Sequence, residues 1–295
     1  MESKFLNISV VIATIGGESI YETIRSINSG SVIPNEILIC IPYEFNKIEL
    51  TKFELKNIKI IQTQDKGQVI QRTIGFQNAI YDFVLQIDDD VILEYNCLEN
   101  LYDSLKHSDF HTAISPALYT LKTNLSVYRT SKKLVNIFLL RPLYYFIING
   151  LLGYKQGSIT LAGTQIGIDP NNYKDKLIRS EWLPGGCVLH NKKNLILQNY
   201  FPFKGKAYME DLYHSILLNK NNIKLYINKF AIAYIDDPRD EKLTFSNWRK
   251  EISNDYKIRK NLVNITNKSY FNLHIYYCIR ILQFLFMNLI SKLKY

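Results

Sequence analysis

The sequence predicts an α/β protein with a mostly parallel central sheet, flanking helices and a C-terminal helical segment. Strand and helix patterns alternate at short intervals through the first 90 or so residues. The strands read as buried-type apolar runs, the habit of parallel strands covered on both faces. One such strand ends abruptly in three aspartates, where open parallel sheets place their ligands, beyond the carboxyl ends of the strands.

Taken in order, Asn7 to Thr14 is rich in β-branched residues and reads as a strand. Ser19 to Ser29 has a Ser start and helical periodicity, and Glu36 to Ile41 and Ile58 to Thr63 are again strand-like. Gly67 to Ala79 places Val69, Ile70, Ile74 and Phe76 at helical spacing. Phe83 to Ile87 then leads into Asp88, Asp89 and Asp90. Beyond about residue 110 the pattern loosens into Tyr- and Asn-rich segments without a Gly/Ser linker or a repeat. The expected organisation is therefore a catalytic domain over 1–240, with halves 1–110 and 111–240, followed by a helical segment over 241–295.

Composition narrows the function. The chain has 295 residues, 47% of them hydrophobic, ample for a buried core. Lys and Arg number 36 against 27 Asp and Glu, a net charge of +9, which favours a phosphate-bearing partner or an anionic membrane surface. Nucleic acid is not expected, because the basic residues are dispersed and no nucleic-acid-binding motif is present. The four cysteines lack CxxC spacing, so neither a disulfide framework nor a zinc site is indicated and a reducing cytoplasm fits. The five histidines form no ligand-spaced pair and read as surface or core-edge residues. The N-terminus does not read as an export signal. Leu134 to Tyr154 and Tyr270 to Leu293 approach membrane character, but Arg141 with Pro142, and Arg280, leave apolar stretches too short to span. Tyr270 to Tyr295 is expected to be a helix that packs on the core or rests on lipid.

The chemistry concentrates at a few carboxylates. Three adjacent aspartates repel one another unless solvent or a cation screens them. Oxygen ligands at a sheet edge suit Mg²⁺ or Mn²⁺, with substrate phosphates completing the shell; the plain alternative is a solvated acidic turn. Glu210-Asp211 at a helix start reads either as a catalytic carboxylate pair or as charges favoured by the helix dipole.

Five features in order carry a resemblance. These are Val10 to Thr14, the segment Gly67-Gln68-Val69-Ile70-Gln71-Arg72, Asp88-Asp89-Asp90, Trp182-Leu183-Pro184-Gly185-Gly186-Cys187, and Glu210-Asp211. Over residues 8 to about 235 the chain resembles the family 2 glycosyltransferases of the Rossmann-like GT-A fold, of the bacterial surface-polysaccharide type. The resemblance implies that Asp88 and Asp90 are DxD carboxylates holding a divalent cation on the donor diphosphate, with Asp89 meeting the ribose. It places Thr14 and Arg72 at the nucleotide sugar, Trp182, Gly185, Gly186 and Glu210 on the acceptor side, and Asp211 as the base. Asp236 stands where a later metal ligand, often His, is found. Ile41-Pro42 occupies the place where many members carry an acidic residue after the second strand, so the base of the nucleotide stays open.

The resemblance implies inverting transfer from a nucleoside-diphosphate sugar, with Mn²⁺ or Mg²⁺ as cofactor. The expected acceptor is a glycan, in particular a lipid-linked one, and the expected location is cytoplasmic, peripheral at the inner face of the cell membrane. Two other readings compete. Asp88-x-Asp90 after an apolar strand is similar to the haloacid-dehalogenase-like phosphatases, with Asp236-Asp237 as late metal carboxylates, although that family places its nucleophile on the first strand. A non-catalytic membrane-surface scaffold would use the basic charge and the aromatic segments alone.

Overall fold

The computed structural model describes residues 4–45, 56–129, 140–150, 155–203, 207–236 and 245–293. The sequence expectations for Leu134 to Leu139, Leu151 to Tyr154, Asp237 and the last two residues lie outside them. The chain divides into two compact units, one of residues 1–129 and 168–238, the other of 130–167 and 239–295.

The first unit is built on a nine-stranded sheet. Its strands are β1 (Lys4–Ala13), β2 (Val32–Pro42), β3 (Ile58–Thr63), β4 (Phe83–Asp88), β5 (Ile92–Leu93), β6 (Thr112–Thr120), β7 (Leu177–Ser180), β8 (Cys187–Asn191) and β9 (Lys224–Ile235). The spatial order is β3-β2-β1-β4-β8-β6-β9-β5, with β7 also paired to β9. β3, β2, β1 and β4 run parallel, β8 is antiparallel to both its neighbours, and β6 and β9 are parallel again. The helices of this unit are α1 (Ser19–Asn28), α2 (Gln68–Asn78), α3 (Cys97–Lys106) and α5 (Glu210–Lys220).

The parallel strands are apolar on both faces because helices cover both. Val10 and Ile12 of β1, Ile37, Ile39 and Ile41 of β2, and Leu85 and Ile87 of β4 join the core that contains Ile20 and Ile24 of α1 and Leu98 and Leu101 of α3. The alternate residues Val11, Leu38, Cys40 and Val84 meet Phe76 of α2 on the other face. α2 lies close to the sheet because Gly75 has no side chain. A Cβ there would stand 2.3 Å from Val11 Cγ1 and 2.8 Å from Cys40 Sγ. Gly75→Ala is therefore expected to cost about 1–3 kcal/mol through overpacking, despite the better helix propensity of Ala. Urea unfolding with an unchanged midpoint would refute this close approach.

β6 departs from the sequence reading. It contains Pro116, a residue that cannot donate to a sheet ladder, and its register with β9 shifts between Pro116 and Ala117. The strand continues through this irregularity inside the sheet.

The second unit contains α4 (Leu140–Asn149), α6 (Phe245–Ile265) and α7 (Tyr270–Leu293). Pro142 falls in the first turn of α4, where its missing N–H is tolerated. Ile148, Ala162, Val263, Leu273, Tyr276 and Tyr277 form the core. Arg259 of α6 is buried, paired with Asp255 at 3.0 Å, and donates to the Gly163 carbonyl at 2.8 Å and to Gln165 Oε1 at 3.1 Å. Lys268 Nζ donates to the Ile159 carbonyl at 2.7 Å. These bonds tie the 155–167 segment to the C-terminal helices, which is why 130–167 groups with 239–295.

Candidate active site

A cleft of about 350 Å³ opens in the first unit at the carboxyl end of β4. Asp88, Asp90 and Asp236 line one part of it, and Gly185, Glu210 and Asp211 another. Each arrives by a different element. Asp88 is the last residue of β4, in register with Ala13 of β1. Glu210 and Asp211 are the first two residues of α5, and Asp236 follows β9.

Arg72 of α2 sits behind the carboxylates and is 2% exposed. One guanidinium nitrogen meets Asp88 Oδ1 and another Glu210 Oε1, both at 2.5 Å. Burial opposes its charge, but Glu210 and then Asp88 more than offset this, so its pKa lies above the ordinary arginine value. Gln68 Nε2 donates to the same Asp88 oxygen at 2.8 Å. Arg72 is thus a strut joining the carboxylate at the end of β4 to the one at the start of α5.

Glu210 is buried and fully engaged. Tyr200 donates its hydroxyl to Oε2 at 2.8 Å while Arg72 holds Oε1. The left-handed Met209, φ 60°, turns the chain immediately before it, a conformation that costs a non-glycine residue of order 1–3 kcal/mol. Asp211 is half-buried and accepts the Leu212 backbone N–H at 3.0 Å. Burial, then the Glu210 charge, pushes its pKa up to about 7, against the opposing pull of Arg72. Of the two adjacent carboxylates, Glu210 is locked into structure and Asp211 is set to exchange a proton near neutrality.

The Gly185-Gly186 loop owes its place to missing side chains. Gln86 Nε2 donates to the Gly185 carbonyl at 2.7 Å, and the Asp88 N–H to the Gly186 carbonyl at 2.8 Å. A Cβ on Gly185 would lie 2.6 Å from Glu210 Oε1, an atom already held by Arg72. Trp182 is buried, with its ring edge-to-face against Tyr128 at 5.7 Å, and Tyr128 itself lines the cleft.

Thr14, just past β1, donates its hydroxyl to Asp89 and accepts the Gly16 N–H at 2.9 Å. Partial burial, and the charge of Asp88, raise the pKa of both Asp89 and Asp90; Asp236 adds to the effect on Asp90. Such crowded carboxylates are the ordinary setting for a hard cation. Among the described residues no three side chains gather into a complete cation cage. Mg²⁺ and Mn²⁺ need none, since they bind through one or two carboxylates and fill the shell with phosphates and water. Asp88 and Asp90, with Asp236 nearby, fit that donor set.

Several residues of this constellation had no signal of their own in the sequence. Gln71 donates its side-chain N–H to the carbonyls of Thr14 and Cys40, both at 2.7 Å, and so ties the ends of β1 and β2 to α2. Tyr200 stacks on His214 with 5.3 Å between ring centres, and His190 lies 5.4 Å from His214. His190 and His214 are fully buried, which corrects their reading as surface or core-edge residues: β8 and α5 turn them inward. Burial, with the nearby Arg72 cation, holds both neutral and brings His214 down to about 3.

Comparison with known proteins agrees with this fold. Residues 47–162 match the family model "Glycosyl transferase family 2". No curated protein matches the sequence. Among solved structures, GalNAc-T7 with UDP, GalNAc and Mn²⁺ superposes over 83% of this chain and 47% of its own, at 15% identity and a TM-score of 0.53. Residues 1–349 of S. aureus TarS in complex with UDP-GlcNAc superpose over 80% of this chain and 60% of their own, at 15% identity and a TM-score of 0.50. This chain therefore spans about half to three-fifths of those structures. The GT-A fold and the resemblance to family 2 glycosyltransferases, both expected from the sequence, are borne out.

Proposed function

We propose that this GT-A protein, whose residues 47–162 match the family 2 glycosyltransferases, transfers a sugar with inversion from a nucleoside-diphosphate sugar to a glycan acceptor. The observation that carries the reading is the pairing within one cleft of the Asp88–Asp90 edge with Asp211, whose pKa of about 7 suits a general base. Both structural neighbours were solved with UDP or a UDP-sugar, which supports a nucleotide-sugar donor.

Asp211 would take the proton of the acceptor hydroxyl as that oxygen attacks the anomeric carbon. Attack from the face opposite the leaving diphosphate inverts the anomeric configuration. Arg72 and Tyr200 would keep Glu210 in place, so that its charge raises Asp211 without competing for the proton. Asp88 and Asp90, with Asp236, would hold Mn²⁺ or Mg²⁺; when bound, the cation neutralises charge developing on the departing diphosphate. Asp89 and Thr14, hydrogen-bonded to each other beside Asp88, would meet the nucleotide. A lipid-linked acceptor in surface-polysaccharide biosynthesis, at the cytoplasmic face of the cell membrane, fits the basic, aromatic composition.

Asp88→Ala and Asp90→Ala are each expected to reduce sugar transfer at least about a hundredfold; Asp90→Ala should melt normally, whereas Asp88→Ala also takes one carboxylate from the buried Arg72 and should lower the melting temperature. Transfer of radiolabelled sugar, with and without EDTA, checks this. A double variant as active as wild type in EDTA would remove the cation from the account.

A further inference from the structure

We infer that α7 is the face on which this protein lies against an anionic lipid bilayer. The inference deepens the membrane-surface location proposed above. Two independent observations support it, one of shape and one of charge.

The first is an apolar stripe left uncovered. Leu273, Tyr276 and Tyr277 bury one side of α7 in the core of the second unit. Phe271 is 73% exposed, Leu282 64% and Phe286 59%, and Ile281 and Leu285 are exposed with them. At 3.6 residues per turn these side chains fall within an arc of about 140°, and they extend roughly 22 Å along the helix. Contiguous exposed apolar surface of this kind marks a protein or membrane contact. No helix among the described residues is long and apolar enough to cross a membrane, so α7 would lie in the interface plane.

The second observation identifies the partner. Residues 130–167 and 239–295 contain fifteen Lys and Arg against four Asp and Glu, a net charge of +11. The rest of the chain has twenty-one against twenty-three, a net −2, so the protein's net positive charge resides in the second unit. Phe284 of α7 stacks on Trp248 of α6 with 3.8 Å between ring centres. Arg249 and Lys250, which follow Trp248 on α6, are both exposed. An apolar stripe flanked by cations matches a bilayer whose acyl chains lie beneath anionic headgroups.

The test is co-sedimentation of the full chain with phosphatidylcholine vesicles, with and without phosphatidylglycerol, at low and high salt. Wild type should bind the phosphatidylglycerol vesicles at least tenfold more tightly than the neutral ones, and salt should weaken that binding. Leu282→Glu with Phe286→Glu should abolish it, and Arg249→Glu with Lys250→Glu should weaken it at least threefold. Equal binding by the Leu282/Phe286 variant, or no binding by wild type, overturns the inference. So does a wild-type dimer in solution that this variant converts to monomer, since the stripe would then be an interface between copies. Nucleotide-sugar affinity with Mn²⁺, measured on the same proteins, separates the two readings: if wild type binds donor but no vesicles, only the membrane face is lost, and if it binds vesicles but no donor, only the transferase reading is.

Discussion

Asp211→Asn is expected to lower turnover at least about a hundredfold while nucleotide-sugar affinity and the fold survive. Loss of a general base costs about 10² to 10⁴ in rate, whereas loss of a favourable helix-terminal charge costs roughly 0.3–1 kcal/mol and leaves chemistry intact. The pH dependence makes the assignment sharper. The base must be ionised, so the wild-type rate should rise with pH through about 7, where Asp211 titrates, and then level off. Stability should run the other way. The folded pKa of about 7 lies above the ordinary 3.8, so between those values the native state holds a proton the unfolded chain has lost. Wild-type stability therefore declines as pH rises through that window. The Asn variant lacks this loss, and its melting temperature relative to wild type should be higher at pH 8 than at pH 5. A variant with near wild-type turnover at saturating donor and acceptor would move the base elsewhere, with Glu210 next to test.

Arg72→Ala should be the most destabilising single change in the first unit. It removes a fully buried cation that two carboxylates share and leaves the buried Glu210 with the Tyr200 hydroxyl but without its cation. Breaking a buried pair from one side costs about 3–5 kcal/mol, which urea unfolding would register as a large drop in midpoint. Arg72→Lys keeps the charge but loses the fork that reaches both acids, and should cost less. In any Arg72 variant that folds without the charge, Asp211 loses a cation that favours its ionised form, so the half-maximal rate should move above pH 7. A midpoint shift under about 1 kcal/mol for Arg72→Ala would mean that the strut does not hold the site together.

How much of this was legible in the sequence differs between the halves of the sheet. β3 lies where the apolar run predicts it, and β1, β2, β4, α1 and α2 fall within a few residues of their expected places. β1, β2 and β4 are covered on both faces, so burial writes apolar runs into the chain, while β3 is a partly exposed edge strand whose isoleucines carried the signal. β6 was obscured by Pro116, β7 has only four residues, and β8 hides His190 and Asn191 in buried positions. The carboxylates of the cleft were legible because each ends or begins an element. Tyr200, Tyr128 and His214 were not, since what qualifies them is proximity to a site assembled from distant parts of the chain, as with Arg72 and Glu210, 138 positions apart. The grouping of 130–167 with the C-terminal helices was likewise invisible, because it rests on long-range bonds such as Arg259 to Gly163.

The central claim is that this cleft holds a nucleoside diphosphate sugar through Asp88 and Asp90 with a divalent cation. Calorimetric titration of the full chain with the common nucleoside diphosphates and their sugars, with and without Mn²⁺, tests it most directly. The account predicts that one base is preferred, that its binding requires Mn²⁺, and that Asp88→Ala with Asp90→Ala abolishes it while Asp211→Asn retains it. A correctly folded wild-type protein that binds none of these nucleotides in the presence of Mn²⁺ would contradict it.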